Sequence, residues 1–223
     1  GELEEIINRM PEGRPQPFRV GVVDALPKSI ALRILSPALH ASTPVRMICR
    51  EASLDNLLGE LAVHRLDMVL ADRPIPPTVS ARGFSHKLGE CGLSFFASDG
   101  LRAGLEGEFP ECLNGTPLLL PGSFTHLRSG IDQWLDKNSL HPQIVAEFDD
   151  SALMKAFGQK GAGIFIAPSV IEREVESQYQ AAKIGRVDEI REHFYAISVE
   201  RRVTHPVVSR IVEAACELLV DSG

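Results

Sequence analysis

Strand-like and helix-like segments alternate along most of this chain, and that alternation constrains the fold more than any other feature. FRVGVV (residues 18–23) reads as a short apolar strand, and SIALRILSPALH (29–40) follows with apolar residues at helical spacing. VRMICREA (45–52), LDNLLGELAVHR (54–65) and LDMVLADRP (66–74) continue as strand, helix and strand. A loop, PIPPTVSARG, leads to a long extended stretch, HKLGECGLSFFAS, broken by Gly89 and Gly92. Such spacing predicts βαβ units and a largely parallel sheet. The second half repeats the logic: TPLLLPG, PQIVAEF and GAGIFIAP as strands, with LRSGIDQWLDKN, DSALMKAFGQK and SVIEREVESQYQAAK as helices. AKIGRVDEIREHFYAISVERR reads as extended. HPVVSRIVEAACELLV reads as a closing amphipathic helix, with Val208, Ile211, Val212, Ala215 and Leu219 on one face and Pro206 in its first turn. Two similar α/β halves joined by extended crossings near residues 91 and 193 predict two lobes with a cleft between them.

Charge and cysteine usage narrow the function. A net charge of −7 over 223 residues argues against this chain binding nucleic acid by itself, because a duplex binder presents a basic face. No apolar run approaches the roughly 18 residues of a membrane span, and the opening GELEEIINRM lacks the apolar core of a signal peptide. Cys49, Cys91, Cys112 and Cys216 are scattered without a C-x-x-C pair and read as buried thiols of a cytoplasmic protein. The seven histidines show no metal-ligand spacing, and no cofactor motif or nucleophile arrangement is present. No enzyme and no cofactor is expected.

Several stretches together resemble the effector-binding (regulatory) domain of LysR-type transcriptional regulators. They are the strand-then-LP entry of RVGVVDALP, Pro44 before the second strand, the E-x-S-x-x-x-L-L run, RLDMVL, GAGIFIAPSVIE and HPVVSRIVEAA, in that order over roughly residues 17–220. LGECGLSFFAS, FPECL, LLLPG, AEFDDSALMKAFG and KIGRV resemble, more narrowly, members that activate sodium/proton antiporter genes. The resemblance implies a periplasmic-binding-protein-like (type 2) fold of two Rossmann-like lobes. It places the end of a linker helix and a linker at 1–16, lobe I at 17–91 and 193–223, and lobe II at 92–192. The winged helix-turn-helix of the family has no counterpart in this chain. DNA is therefore reached only through that missing N-terminal domain. The resemblance further implies a small effector or cation (Na+ or H+) as signal, a homodimer that becomes a tetramer in the full-length form, RNA polymerase as a further partner, and no membrane. The rival reading is a transporter's solute-binding protein of the same two-lobe fold.

In this architecture a ligand lies at strand C-termini, where helix N-termini converge. The matching effector-binding positions are Asp24, Ala25, Ser53 and Asp72 from the first lobe. Gly122, Ser123, Phe124, Phe148, Asp149 and Pro168 come from the second. Each polar one has a plainer role beside it: Ser53 as an N-cap, Asp24 as the cap of the helix starting near Pro27 or Lys28, and Asp149 or Asp150 as the cap of ALMKAF. Phe124 and Phe148 read as an apolar wall or as core. Asp24, Glu51, Asp72, Glu147, Asp149 and Asp150 all fall near one rim. Crowded carboxylates suit a hard cation, with Asp24, Asp72 and Asp149 as its contacts, and equally suit pH sensing by raising one another's pKa. GSFTHLR, with Arg128, offers the opposite option, backbone N–H groups for an anion; His126 is a secondary pH-sensing candidate. The first two helices have apolar faces fit for dimerisation or for burial within the first lobe.

Overall fold

A computed structural model describes residues 16–40, 42, 45–78, 83–123, 125–200 and 205–219. The expected linker segment up to residue 15, Pro44 and Phe124 lie outside the described residues. Strand β1 (Gln16–Val23) leads to helix α1 (Lys28–Leu39), β2 (Val45–Ala52), α2 (Leu54–Ala62) and β3 (Met68–Ala71). The long β4 (Phe84–Ser98) then crosses into the second half, followed by the short α3 (Asp99–Ala103) and a 3-10 turn at Glu111–Leu113. There β5 (Pro117–Pro121), α4 (His126–Lys137), β6 (Gln143–Phe148), α5 (Ser151–Gln159), β7 (Phe165–Pro168) and α6 (Glu172–Tyr179) alternate. The equally long β8 (Ala181–Ser198) returns, and α7 (Pro206–Leu218) follows.

The helices form where apolar side chains recur on one face. Leu54, Leu57, Leu58 and Leu61 of α2 are all buried, as are Ile30, Ile34, Leu35 and Ala38 of α1. On α7, Val208, Ile211, Ala215 and Leu219 are buried while Val212 is half-buried. SVIEREVESQYQAAK is not one helix as its pattern predicts. It opens with a 3-10 turn at Ser169–Ile171, and Gln180, at φ 50°, ends the helix so that Ala181, Ala182 and Lys183 join β8. Cys91 and Cys112 are buried as expected, but Cys49 is exposed because β2 is the edge strand of its sheet.

The main sheet has the order β2-β1-β3-β8-β4-β7. β2, β1 and β3 are parallel, whereas β3–β8, β8–β4 and β4–β7 are antiparallel, so the sheet is mixed. Local βαβ spacing does not reveal that the two crossing strands run past each other in opposite directions. The far parts of β4 and β8 carry β7, and β5 and β6 pair beside them as a parallel two-stranded sheet. The register is irregular between Lys87 and Gly89, where the extra residue is on β4, and opposite Cys91–Leu93 and Phe95–Phe96, where the extra residues are on β8; the paired strands bend there. Phe95, Phe109 and Trp134 cluster with ring centroids 5.3–6.1 Å apart, and Phe96 stacks on Phe165 at 5.5 Å.

Gly158 of α5 lies against the face of Phe165; a Cβ there would stand 2.1 Å from the ring. Phe165 is fully buried and has no room to yield. Gly158→Ala is expected to lower stability by about 1–3 kcal/mol, because overpacking exceeds the helix-propensity gain. Urea denaturation of both proteins measures the difference, and an unchanged or higher midpoint would contradict this packing.

Candidate functional site

Where the C-terminal ends of β1, β3, β5, β6 and β7 approach the first turns of α1, α4 and α5, the chain forms a partly open cavity of about 40 Å³. Ala25, Asp72, Phe148, Asp149 and Pro168 line it, as expected from their positions past strand ends. Phe148 also packs on Phe157 at 5.3 Å, so it serves as wall and core at once. Gly122 sits just outside the lining. It donates its N–H to the Phe148 carbonyl, and a Cβ there would lie 2.6 Å from Asp149 Oδ1, so a larger residue would turn the Asp149 carboxylate aside. Ser123 is exposed and outside the lining.

Two first-lobe positions stand apart from the cavity, Ser53 in the capping role also expected of it and Asp24 in neither of its expected roles. Ser53 lies away from the cavity and acts as the N-cap of α2, accepting the Asn56 N–H at 3.4 Å. Asp24 neither lines the cavity nor caps α1, whose cap residue is Pro27 with no side-chain cap bond. A turn closed by the Leu26 N–H on the Val23 carbonyl sets Asp24 at its outer corner, exposed and three residues short of the cap position. Glu51 is also exposed, pairing with Lys28 at 2.8 Å. Asp150 caps α5 as expected, accepting the Ala152 N–H at 2.7 Å.

The anion option at GSFTHLR loses its cation. Arg128 is buried but satisfied, donating to Asp132 (2.9 Å), to the Pro121 carbonyl (3.0 Å) and to Glu147. The Thr125 hydroxyl accepts the Arg128 N–H and caps α4. Arg128 thereby ties α4 to the ends of β5 and β6 and shapes the rim. His126 is exposed and lines a separate groove with Arg191 and His193.

Two charged residues of the cavity escaped sequence reading. Lys155 on α5 is only 4% exposed, lines the cavity, and forms no hydrogen bond or ion pair with any described residue. Glu192 on β8 is part-buried as a residue, yet its Oε2 is shut off from solvent without a hydrogen-bond partner. A signal for Glu192 existed: it alternates along β8 with Phe194 and Ala196, both buried. Lys155 stands one helical turn after Ser151, which also lines the cavity.

Burial sets the ionisation of these groups. It pushes the Glu192 carboxyl up to about 8, with the Asp72 charge adding and Lys155 opposing. Burial likewise raises Asp72, against the attraction of Arg73 and His126, and lowers Lys155 to about 8. Among the described residues no group of three or more His, Cys, Asp or Glu is arranged to hold a metal ion.

These shifts give stability a pH dependence. Folding holds the Glu192 proton up to about pH 8, whereas its ordinary value is 4.5, so this group's contribution declines between those limits. Lys155 acts oppositely: its contribution is complete above 10.5 and is lost as pH falls through about 8. Glu192→Gln should remove the decline and leave the rise. Above pH 8 the variant should be more stable than the parent by on the order of a few kcal/mol, while near pH 5 the two should agree. Melting temperatures at pH 5, 7, 8 and 9.5 check this; parallel curves would refute it.

With that geometry in place, comparison with known proteins is informative. Residues 11–219 match the family model described as LysR substrate binding domain. The transcriptional activator protein NhaR of Escherichia coli K12 is 37% identical over 210 residues, covering 94% of this chain and 68% of that protein. Among solved structures, Vibrio fischeri DarR in complex with DNA superposes with a TM-score of 0.70 at 15% identity, over 97% of this chain and 73% of that one. The regulatory domain of HypT from Salmonella typhimurium, in its apo form, gives 0.68 at 15% identity, over 93% and 98%. These two likenesses show a shared fold.

Proposed function

The chain belongs to the LysR substrate-binding domain family, and from that premise we propose that it senses alkaline pH or sodium for a regulator that activates sodium/proton antiporter genes. It is the effector-binding domain of a LysR-type regulator, and a transporter's solute-binding role is not favoured beside a 37% identical transcriptional activator. The observation that carries the proposal is the cavity at the meeting of the strand ends, small and lined by Asp72, Lys155 and Glu192. Sites for drug-sized molecules run to about 300–1,000 Å³, whereas a cavity of this size suits a few waters, an ion or a proton exchange.

The other parts of the reading follow the family. The lobes divide into 17–91 with 193–223 and 92–192, a division supported by β3 pairing with the last residues of β8 and β7 pairing with the second half of β4. The cavity binds and reports rather than catalyses. DNA contact belongs to a winged helix-turn-helix outside this chain, and the regulator works in the cytoplasm as a dimer or tetramer that meets RNA polymerase. Leu32 and Leu39 on α1, 66% and 62% exposed, support association through the first helix.

Trp134, the single tryptophan, lies on α4, whose first turn lines the cavity. Its fluorescence and the melting temperature of the chain should therefore respond to pH between 6 and 9.5, or to sodium and lithium against potassium at constant ionic strength. Identical signals under all these conditions would defeat the proposal.

A further inference from the structure

We propose that Lys155, Glu192 and Asp72 form a proton switch inside the cleft cavity, and that the event sensed is loss of the Glu192 proton rather than coordination of a cation. The inference rests on the signal-sensing reading above and chooses between its two signals.

The geometry favours the proton. Glu192 occupies the point where β8 passes between the two halves, in register with Cys91 of β4. Asp72 comes from the end of β3 and Lys155 from α5, so three elements on different sides of the cavity each contribute one ionisable group. Lys155 is 4% exposed and the Glu192 Oε2 is shut off from solvent, and neither side chain has a hydrogen-bond partner among the described residues. With no hydrogen bond to hold either charge, each is offset chiefly by the other across the cavity, so protonation of one bears on the other. A hard cation asks for a cage of oxygen ligands, whereas here an ammonium shares the small cavity and repels it.

The remaining charges around the cluster are accounted for. Asp150 at the head of α5 and Lys28 at the head of α1 act on Lys155 from opposite directions. Arg73 and His126 act on Asp72, and Asp149 lines the cavity from the end of β6. Glu192 itself is set by its burial, by the Asp72 charge and, in the opposite sense, by Lys155. When Glu192 gives its proton to solvent, the cavity gains a second carboxylate whose charge acts on Asp72. The two repel, and Lys155 is the one cation lining the cavity able to move between them. The relative position of β3 and α5 thus depends on one proton.

The test is a pH titration of the whole chain from 6 to 10, followed by Trp134 fluorescence and by carbon-13 NMR of side-chain carboxyls, in potassium and in sodium at equal ionic strength. The expected result is a carboxyl titrating within about one unit of pH 8 that is missing from Glu192→Gln. The fluorescence step should share its midpoint, disappear in Glu192→Gln, and move upward by about one unit in Lys155→Met, where the opposing cation is gone. Sodium should leave the midpoint where potassium puts it. A midpoint displaced by sodium, a step that persists in Glu192→Gln, or a Glu192 carboxyl titrating in the ordinary range overturns the switch. If a variant does not fold, the wild-type carboxyl titration and the sodium comparison still decide. A sodium-displaced midpoint would overturn the switch yet preserve the sensing role, whereas a chain silent to both pH and sodium would remove the sensing role itself.

Discussion

The antiparallel pairing of β4 with β8 is the constraint on which the other parts of this structure depend. These are the two longest strands, 15 and 18 residues, and they are paired along almost their whole length. One end of the ribbon carries β3, and through it β1 and β2; the other carries β7. Leu93, Phe95, Phe96 and Ala97 of β4 and Phe194, Ala196 and Ile197 of β8 are fully or almost fully buried. Hydrophobic burial of this size holds the ribbon in place even where its register breaks.

The same ribbon explains how one carboxylate oxygen comes to be shut off from solvent. Side chains on one strand face share an environment, and β8 buries Phe194 and Ala196. Glu192 precedes them on that face and is drawn part of the way in. Lys155 is carried in by α5 in the same way, between Met154 and Gly158, which are buried. Arg128 shows the contrasting solution. It is buried too, but its guanidinium meets two carboxylates and a backbone carbonyl, so its charge is compensated and its role is to hold the rim together. The fold thus satisfies one buried cation three times and leaves another without a hydrogen bond, a contrast that supports the proposed role of Lys155.

Capping separates two kinds of residue that look alike in sequence. Ser53, Thr125 and Asp150 each close a helix N-terminus. Asp24, in a similar place after a strand, does not, because the Val23–Leu26 turn intervenes and Pro27 opens α1. Asp149, next to a true cap, faces the cavity instead. One residue of displacement along the chain therefore decides whether a carboxylate caps a helix or lines the cavity.

By itself, the sequence determined the order and kind of nearly every element, the meeting of residues past the strand ends that line the cavity, and the family. Local periodicity, turn residues and short motifs carry that information directly, which is why Ala25, Asp72, Phe148, Asp149 and Pro168 were legible as neighbours. Only the tertiary structure decided that the sheet is mixed, that Ser53 and Asp24 stand aside, and that Lys155 and Glu192 enter the cavity. Those outcomes depend on how strands far apart in the chain pair and on which face a bend presents. The ionisation of Asp72, Lys155 and Glu192 follows from that burial, because the cost of a charge is set by the surroundings that folding brings together.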